Sequence, residues 1–190
     1  MEIKKLFTLI AFIFIPFGAL GFEESAIIYN STIEAEQQIA LGIRKEGQMG
    51  AAIGNIVKNS GRSRALGYKE STGIAYKFNG SKSEGYLSGW YDATTPGCLC
   101  EGWGAGFVDR VGRRTHGRAG MDIGGIKNIE VKSFVSDETS ISSTVWIKDS
   151  IGQAVLEVTH RFGPAAKAPG AMFQALVTMT NISGDTLKDL

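Results

Sequence analysis

The chain has two cysteines, Cys98 and Cys100, which lie one residue apart in the segment PGCLCEGWG. Two thiols at such a spacing can form a disulfide, exchange electrons or bind a metal ion. Alternate Cα atoms of an extended strand lie about 6.5–7 Å apart, farther than a disulfide usually allows, so direct pairing requires a local turn. The flanking Gly97 and Gly102 supply the residue type for one. We therefore predict a disulfide between the two cysteines that shapes one loop.

The other uses of these thiols find less support in the sequence. Redox exchange normally uses C-x-x-C at a helix N-terminus, and the residues after Cys100 show no helical pattern. A tetrahedral metal site needs two further donors, and the histidines available are His116 and His160. We predict no metal and no cofactor, while free or intermolecular thiols and a redox or metal role stay as alternatives.

Aromatic and acidic residues surround this motif. Aromatic rings beside carboxylates can form a platform for a sugar, and they can equally pack one end of a β-sandwich. Packing is the favoured interpretation, because large aromatic residues mostly serve that purpose. The residues concerned are Trp90, Tyr91, Asp92, Glu101 and Trp103.

Three carboxylates in this region, Asp92, Glu101 and Asp109, suggest one enzymatic alternative. Glycoside hydrolysis uses two carboxyl groups about 5–9 Å apart, a distance that sequence spacing cannot establish. A carbohydrate-active enzyme using carboxylates near residues 92–109 therefore remains the second hypothesis for function.

A basic cluster follows, with Arg110, Arg113, Arg114, His116 and Arg118 within nine positions. Such donors can bind phosphate, sulfate or an acidic polysaccharide, although such a run is more often a solvated loop paired with nearby acids. The predicted ligand-binding surface joins the arginines of this cluster to the residues Trp90, Tyr91, Glu101 and Trp103.

The N-terminus has the pattern of a signal peptide. Lys4 and Lys5 precede an apolar run over residues 6–15, and small residues end at Gly21. The run is shorter than the roughly 20 residues that cross a bilayer, which disfavours the alternative of a membrane anchor. We expect cleavage after residue 21, export to the periplasm, the cell surface or the medium, and no membrane span in the remainder.

Residues 22–190 suit a single domain and carry equal numbers of basic and acidic side chains. Nucleic-acid binding depends on many uncompensated Lys and Arg contacts to phosphate, so this balance gives no reason to expect it. Oligomeric state is left undetermined by the sequence.

Strand patterns dominate the second half of the chain. Strands are predicted over residues 126–135, 139–148, 153–162 and 171–182, joined by short connections as an antiparallel meander. His160 falls on an apolar face, where a buried, neutral, hydrogen-bonded histidine is the favoured interpretation.

The first half has weaker strand patterns, over residues 26–30, 38–43, 73–79 and 85–91. Facing antiparallel sheets would bury one side of each strand, so we predict an all-β antiparallel sandwich, with a β-barrel as the alternative. Residues 186–190 read as the start of another strand, so the final sheet is either frayed at its edge or incomplete through truncation of the chain.

Three segments resemble a group of uncharacterised bacterial exported proteins that share a GC-x-CEGWG segment and a VT-x-TN-x-SG strand and turn. They are residues 96–104, the strand containing Val158, Thr159 and His160, and the run LVTMTNISG over residues 176–184. The resemblance covers roughly residues 86–190 and implies export and β-architecture. The group's pattern continues into an Arg-rich segment containing Trp-Asp that is absent here, which implies truncation. It carries over no catalytic residue.

Together these observations predict an exported, non-enzymatic β-sandwich protein with a surface-binding or envelope-associated structural role. The expected partner is a polysaccharide or another anionic surface ligand.

Overall fold

A computed structural model describes residues 25–50, 72–79, 89–93, 102–120 and 125–190. These parts of the chain are nearly all β. One short 3₁₀ helix, Glu34–Glu36, accompanies ten strands: β1 Ser25–Tyr29, β2 Ile39–Arg44, β3 Ile74–Phe78, β4 Gly89–Asp92, β5 Gly102–Val108, β6 Arg114–Gly120, β7 Ile129–Ser136, β8 Ile141–Lys148, β9 Ala154–Pro164 and β10 Phe173–Asn181.

The four last strands form the main sheet, an antiparallel meander in the order β10-β9-β8-β7. This confirms the strands predicted for the second half of the chain. Successive side chains of a strand point to opposite faces, and Ile141, Ser143, Val145 and Ile147 of β8 are accordingly buried on one face.

The layer opposite the main sheet has two parts. The sheet β1-β2-β3-β4 covers one half through Ile28, Leu41 and Ile43, which pack against Phe134 and Ile141. The antiparallel hairpin β5-β6 covers the other half. The fold is therefore an all-β sandwich, as predicted, and the described strands form open antiparallel sheets rather than a closed barrel.

The hairpin β5-β6 corrects the sequence-based expectation. The glycine-rich run and the basic cluster predict a loop, whereas the structure shows two paired strands in full register. Trp103, Ala105 and Phe107 alternate with glycines on β5 and pack against the main sheet. Burial of these three side chains outweighs the poor intrinsic β-propensity of glycine.

Two similar turns close the β5-β6 and β8-β9 hairpins. Each begins with an aspartate whose carboxylate accepts hydrogen bonds from backbone N–H groups two and four residues later, and each has a glycine with positive φ three residues after it. The aspartates are Asp109 and Asp149, and the glycines are Gly112 (φ +77°) and Gly152 (φ +88°). The two turns also contact each other, because Ser150 Oγ donates a hydrogen bond to Asp109 Oδ2.

The C-terminal residues return to the hairpin. Lys188 forms a single antiparallel bridge with Val108 on the free edge of β5, through backbone hydrogen bonds of 2.8 and 3.2 Å. Asp189 then has φ +52°, which turns the backbone out of the extended conformation. The strand predicted for residues 186–190 is thus one bridge long. Within the described ranges, no helix has the length and apolar character needed to span a membrane.

Candidate binding site

The outward face of the β5-β6 hairpin is a trough with a floor of glycines. Because alternate residues share a face, Gly102, Gly104 and Gly106 all face away from the packed side of β5. Across the hairpin, Gly104 pairs with Arg118 and Gly106 pairs with His116. Glycine has no side chain to fill the space between these longer neighbours, so the backbone of β5 is open to a ligand.

Basic side chains border this floor. Arg114, His116 and Arg118 lie at alternate positions of β6 and therefore project on the same face. Two lysines extend the row, since Lys127 bridges Arg118 on one side of the hairpin and Lys188 bridges Val108 on the other. Neither lysine was predicted, because both join the site through pairing with residues distant in sequence.

Two adjoining cavities occupy this face. One, of about 500 Å³, is lined by both strands from Gly102 to Gly106 and from His116 to Gly120. The other, of about 550 Å³, shares Gly106 and His116 and reaches Arg114 and the acidic Asp189. The site is therefore a continuous, predominantly basic trough with one carboxylate at its end.

The inward face of the same hairpin serves packing. The indole of Trp103 lies 4.4 Å from the imidazole of His160 between ring centroids, and its Nε1 donates a 2.8 Å hydrogen bond to the carbonyl oxygen of Glu46. Trp103 also packs against the core beneath β5. Its ring therefore faces the interior, away from the trough.

The predicted aromatic residues Trp90 and Tyr91 lie in the other part of the layer, on opposite faces of β4. Trp90 contacts Tyr29 at 5.6 Å between ring centroids, and Lys77 Nζ lies 5.9 Å from the Trp90 ring. Tyr91 stacks on Tyr76 at 5.9 Å. The structure does not bring these two aromatic side chains together with Trp103 on one ligand-binding surface.

The predicted arginines divide between the trough and the β5-β6 turn. Arg114 and Arg118 line the trough. In the turn, Arg110 Nη1 lies 3.4 Å from Asp185 Oδ2 in an exposed ion pair. The backbone N–H of Arg113 donates a hydrogen bond to the carboxylate of Asp109. Arg110 and Arg113 thus lie in the turn, separated from the glycine floor, and Arg114 follows them as the first residue of β6.

Asp109, one of the carboxylates considered for catalysis, is a structural residue. Its side chain accepts hydrogen bonds from the N–H groups of Val111, Arg113 and Ser150 and from the Ser150 hydroxyl. The Ser150 hydroxyl bond, followed by the backbone N–H bonds, holds the pKa of Asp109 below its ordinary value. A carboxylate held ionised and fully hydrogen-bonded is poorly suited to act as a general acid.

His160 is buried, as predicted, with 4% of its surface exposed. Desolvation lowers the pKa of its imidazole to about 4, so the side chain is neutral at physiological pH. The prediction of a hydrogen-bonded ring is not met at Nδ1, which has no hydrogen-bond partner among the described residues. Gly47 packs directly against this atom, since a Cβ built on it would lie 2.8 Å away.

Several predicted residues lie outside the described part of the chain: the signal segment 1–21, the cysteines Cys98 and Cys100, Glu101, and the side chain of Asp92. Within the described part, no group of three or more His, Cys, Asp or Glu side chains is arranged to hold a metal ion.

Comparisons with protein-family models, with curated proteins and with solved structures gave no match for this chain. The resemblance to bacterial exported proteins therefore stays a prediction.

Proposed function

We propose that this protein is an exported, non-enzymatic binding module that holds a linear anionic polymer, of the acidic polysaccharide class, in the basic trough of the β5-β6 hairpin. The observation that carries the proposal is the alignment of Arg114, His116 and Arg118 along one face above a glycine floor. Export rests on the signal-like pattern of residues 1–21.

The spacing of the basic row Arg114, His116 and Arg118 favours a polymer over a small anion. Alternate residues of a strand lie about 6.5–7 Å apart, so the two arginines and the histidine between them spread along the strand rather than converging on one point. Arginine donors suit carboxylate and sulfate groups, which an acidic polysaccharide presents at intervals. The exposed backbone of the glycine floor adds space for the flat faces of sugar rings.

A binding experiment tests this proposal directly. The purified protein should bind immobilised polygalacturonate or a sulfated polysaccharide, should not bind neutral dextran, and should lose affinity between 50 and 500 mM salt, as expected of charge pairing at an exposed surface. Substituting Arg114→Gln together with His116→Gln should weaken binding by about tenfold or more, equivalent to about 1.4 kcal/mol.

The matched control is Arg161→Gln, which removes an exposed arginine from the outer face of β9, away from the hairpin. Equal losses in the control and in the trough variant would mean that net charge alone drives binding. Equal affinity for a single-stranded oligonucleotide of the same length would instead indicate a general polyanion site.

Carbohydrate hydrolysis remains the alternative function, and the same ligands test it. Release of reducing ends from a polysaccharide by the purified protein, abolished by Asp92→Asn or Glu101→Gln, would replace the binding proposal. Asp109→Asn would not discriminate, because that side chain supports the turn.

A further inference from the structure

The strand β10 forms an edge of the main sheet and, beyond Phe173, is exposed on both faces. Leu176, Val177 and Met179 are 59%, 50% and 53% exposed. Val177 lies opposite His160 and Met179 lies opposite Val158, so both belong to the face that is buried in β9. Two exposed apolar side chains therefore continue the core face of the sheet beyond its covered part.

The edge of β10 has no feature that normally prevents pairing with another strand. Its nine residues, FQALVTMTN, include no charge, proline or glycine. The opposite edge of the same sheet differs: β7 has a register shift between Val131 and Ser133, and Glu130 pairs with Lys132 and Lys148. Bulges and charges are the usual protection of an edge strand, so one edge is protected and the other is not.

The hydrogen-bonding pattern shows which backbone groups of β10 point outward. The N–H of Ile182 donates to the carbonyl oxygen of Val155 in β9. Along a strand, the backbone groups that face one neighbouring strand recur at every second residue. The even-numbered residues of β10 therefore bond to β9. The odd-numbered residues, from Phe173 to Asn181, direct their N–H and C=O groups to the free edge.

We propose that two copies of this chain associate by antiparallel pairing of β10 with β10 about a two-fold axis at Val177, which makes one continuous eight-stranded sheet. This register places Ala175 opposite Met179 and Leu176 opposite Thr178, so no charge opposes another. In this register the outward N–H and C=O groups of one strand lie opposite those of the other, which allows about ten hydrogen bonds.

The occupant is a second copy because the uncharged strand is complementary to itself and because, of the two edges of the main sheet, β10 is the unprotected one. An interface that uses the same surface on both chains closes after two copies. The protected β7 edge blocks further addition, so the expected assembly is a dimer and not a fibre.

Sedimentation or light scattering over a concentration series tests the pairing. The unmodified protein should be a dimer, and Val177→Lys should raise the dimer dissociation constant by about 100-fold, because it places like charges opposite each other on the two-fold axis. The matched control, Val135→Lys on the exposed end of β7, should leave the dimer unchanged. Circular dichroism of each variant verifies folding.

A crosslinking experiment tests the register independently. Directly opposed residues of a hydrogen-bonded pair have Cα atoms about 5.5 Å apart, within the range of a disulfide. Under oxidation, Val177→Cys should give a covalent dimer with a 177–177 link by peptide mass mapping. Thr178→Cys should not, because residue 178 faces residue 176 of the second copy.

Three results would overturn the proposal. A chain that stays monomeric at several hundred micromolar has no such dimer, and a strand from a different protein or from a longer form of this chain would then be the occupant to seek. A dimer that survives Val177→Lys uses another surface. Oligomers that grow without limit would contradict a closed two-fold pair.

Discussion

The two faces of the β5-β6 hairpin are formed by alternate residues of the same two strands, yet one face is packed and the other is exposed. The inward face buries Phe107 and Ala119 against the main sheet, while the outward face exposes glycines between basic side chains. The period of two residues in a strand allows this separation. Packing and the proposed ligand binding can therefore be changed independently in one hairpin, and substitutions on the two faces should separate stability from affinity.

The largest effect on stability is expected from the inward face. Phe107→Ala should lower the free energy of unfolding by about 3–5 kcal/mol, because it removes an aromatic side chain that is 3% exposed and leaves a cavity against Val145 and Leu156. Chemical denaturation measures the change. Val111→Ala, in the exposed turn of the same hairpin, is the control and should cost less than about 0.5 kcal/mol. Similar losses for both would contradict the assignment of faces.

The histidine beneath the inward face should make stability depend on pH. Burial lowers the native pKa of His160 to about 4, so the unfolded state takes up a proton below about pH 6.5 while the native state does not. The free energy of unfolding should therefore fall as pH is lowered from 6.5 towards 4, by about 3 kcal/mol in total.

The variant His160→Gln isolates this contribution, because glutamine does not titrate. Asp109, Glu130 and Asp137 have lowered pKa values through their hydrogen bonds, and their contributions are lost at lower pH, as those carboxylates protonate. Denaturation curves between pH 6.5 and 5 thus report mainly on the histidine. Equal slopes for the variant and the unmodified protein would show that His160 does not contribute.

A smaller loss is expected from one inward glycine. A Cβ at Gly117 would lie 2.7 Å from Ile147 Cγ1 and 3.0 Å from the carbonyl oxygen of Asn128. Gly117→Ala should therefore cost about 1–3 kcal/mol through overpacking. The matched outward substitution, Gly104→Ala, has its nearest contact at 3.3 Å and should cost less. Thermal unfolding of the two variants compares them, and a reversed order would contradict the close approach of the hairpin to β8.

The smallest effect on stability is expected at the outward face. His116→Ala should leave the free energy of unfolding within about 0.5 kcal/mol, because its side chain is exposed, while it weakens binding of the acidic polysaccharide. Denaturation and binding measured on the same preparation give both quantities. Lost stability with unchanged affinity would assign His116 to structure and remove it from the trough.

Much of the fold could be predicted because the main sheet has regular alternation. Ile141, Val145 and Ile147 recur at every second position, and the connection at residues 149–152 contains a typical turn sequence. The hairpin β5-β6 could not be predicted in this way, because glycines at alternate positions weaken the strand signal. The remaining signal was the alternation of Trp103, Ala105 and Phe107 within that glycine-rich run.

The site was predicted only in part, for a related reason. The arginine-rich run was visible in the sequence, and it supplies Arg114 and Arg118. Which arginines share a face depends on where β6 begins. Because the sequence predicted a loop here, it did not indicate which of these side chains lie on the same side. Lys127 and Lys188 enter through single bridges to other strands, a relation that local sequence does not contain.

The twin turns at Asp109 and Asp149 have a consequence for the order of folding. Each turn and its hairpin are made from residues close in sequence, so each can form with little loss of chain entropy. The contact of Ser150 with Asp109 then joins the two hairpins through residues that lie 41 positions apart in the sequence. Docking of these preformed hairpins would allow the β5-β6 hairpin and the main sheet to assemble early, before the β1–β4 sheet closes over the other half of the core.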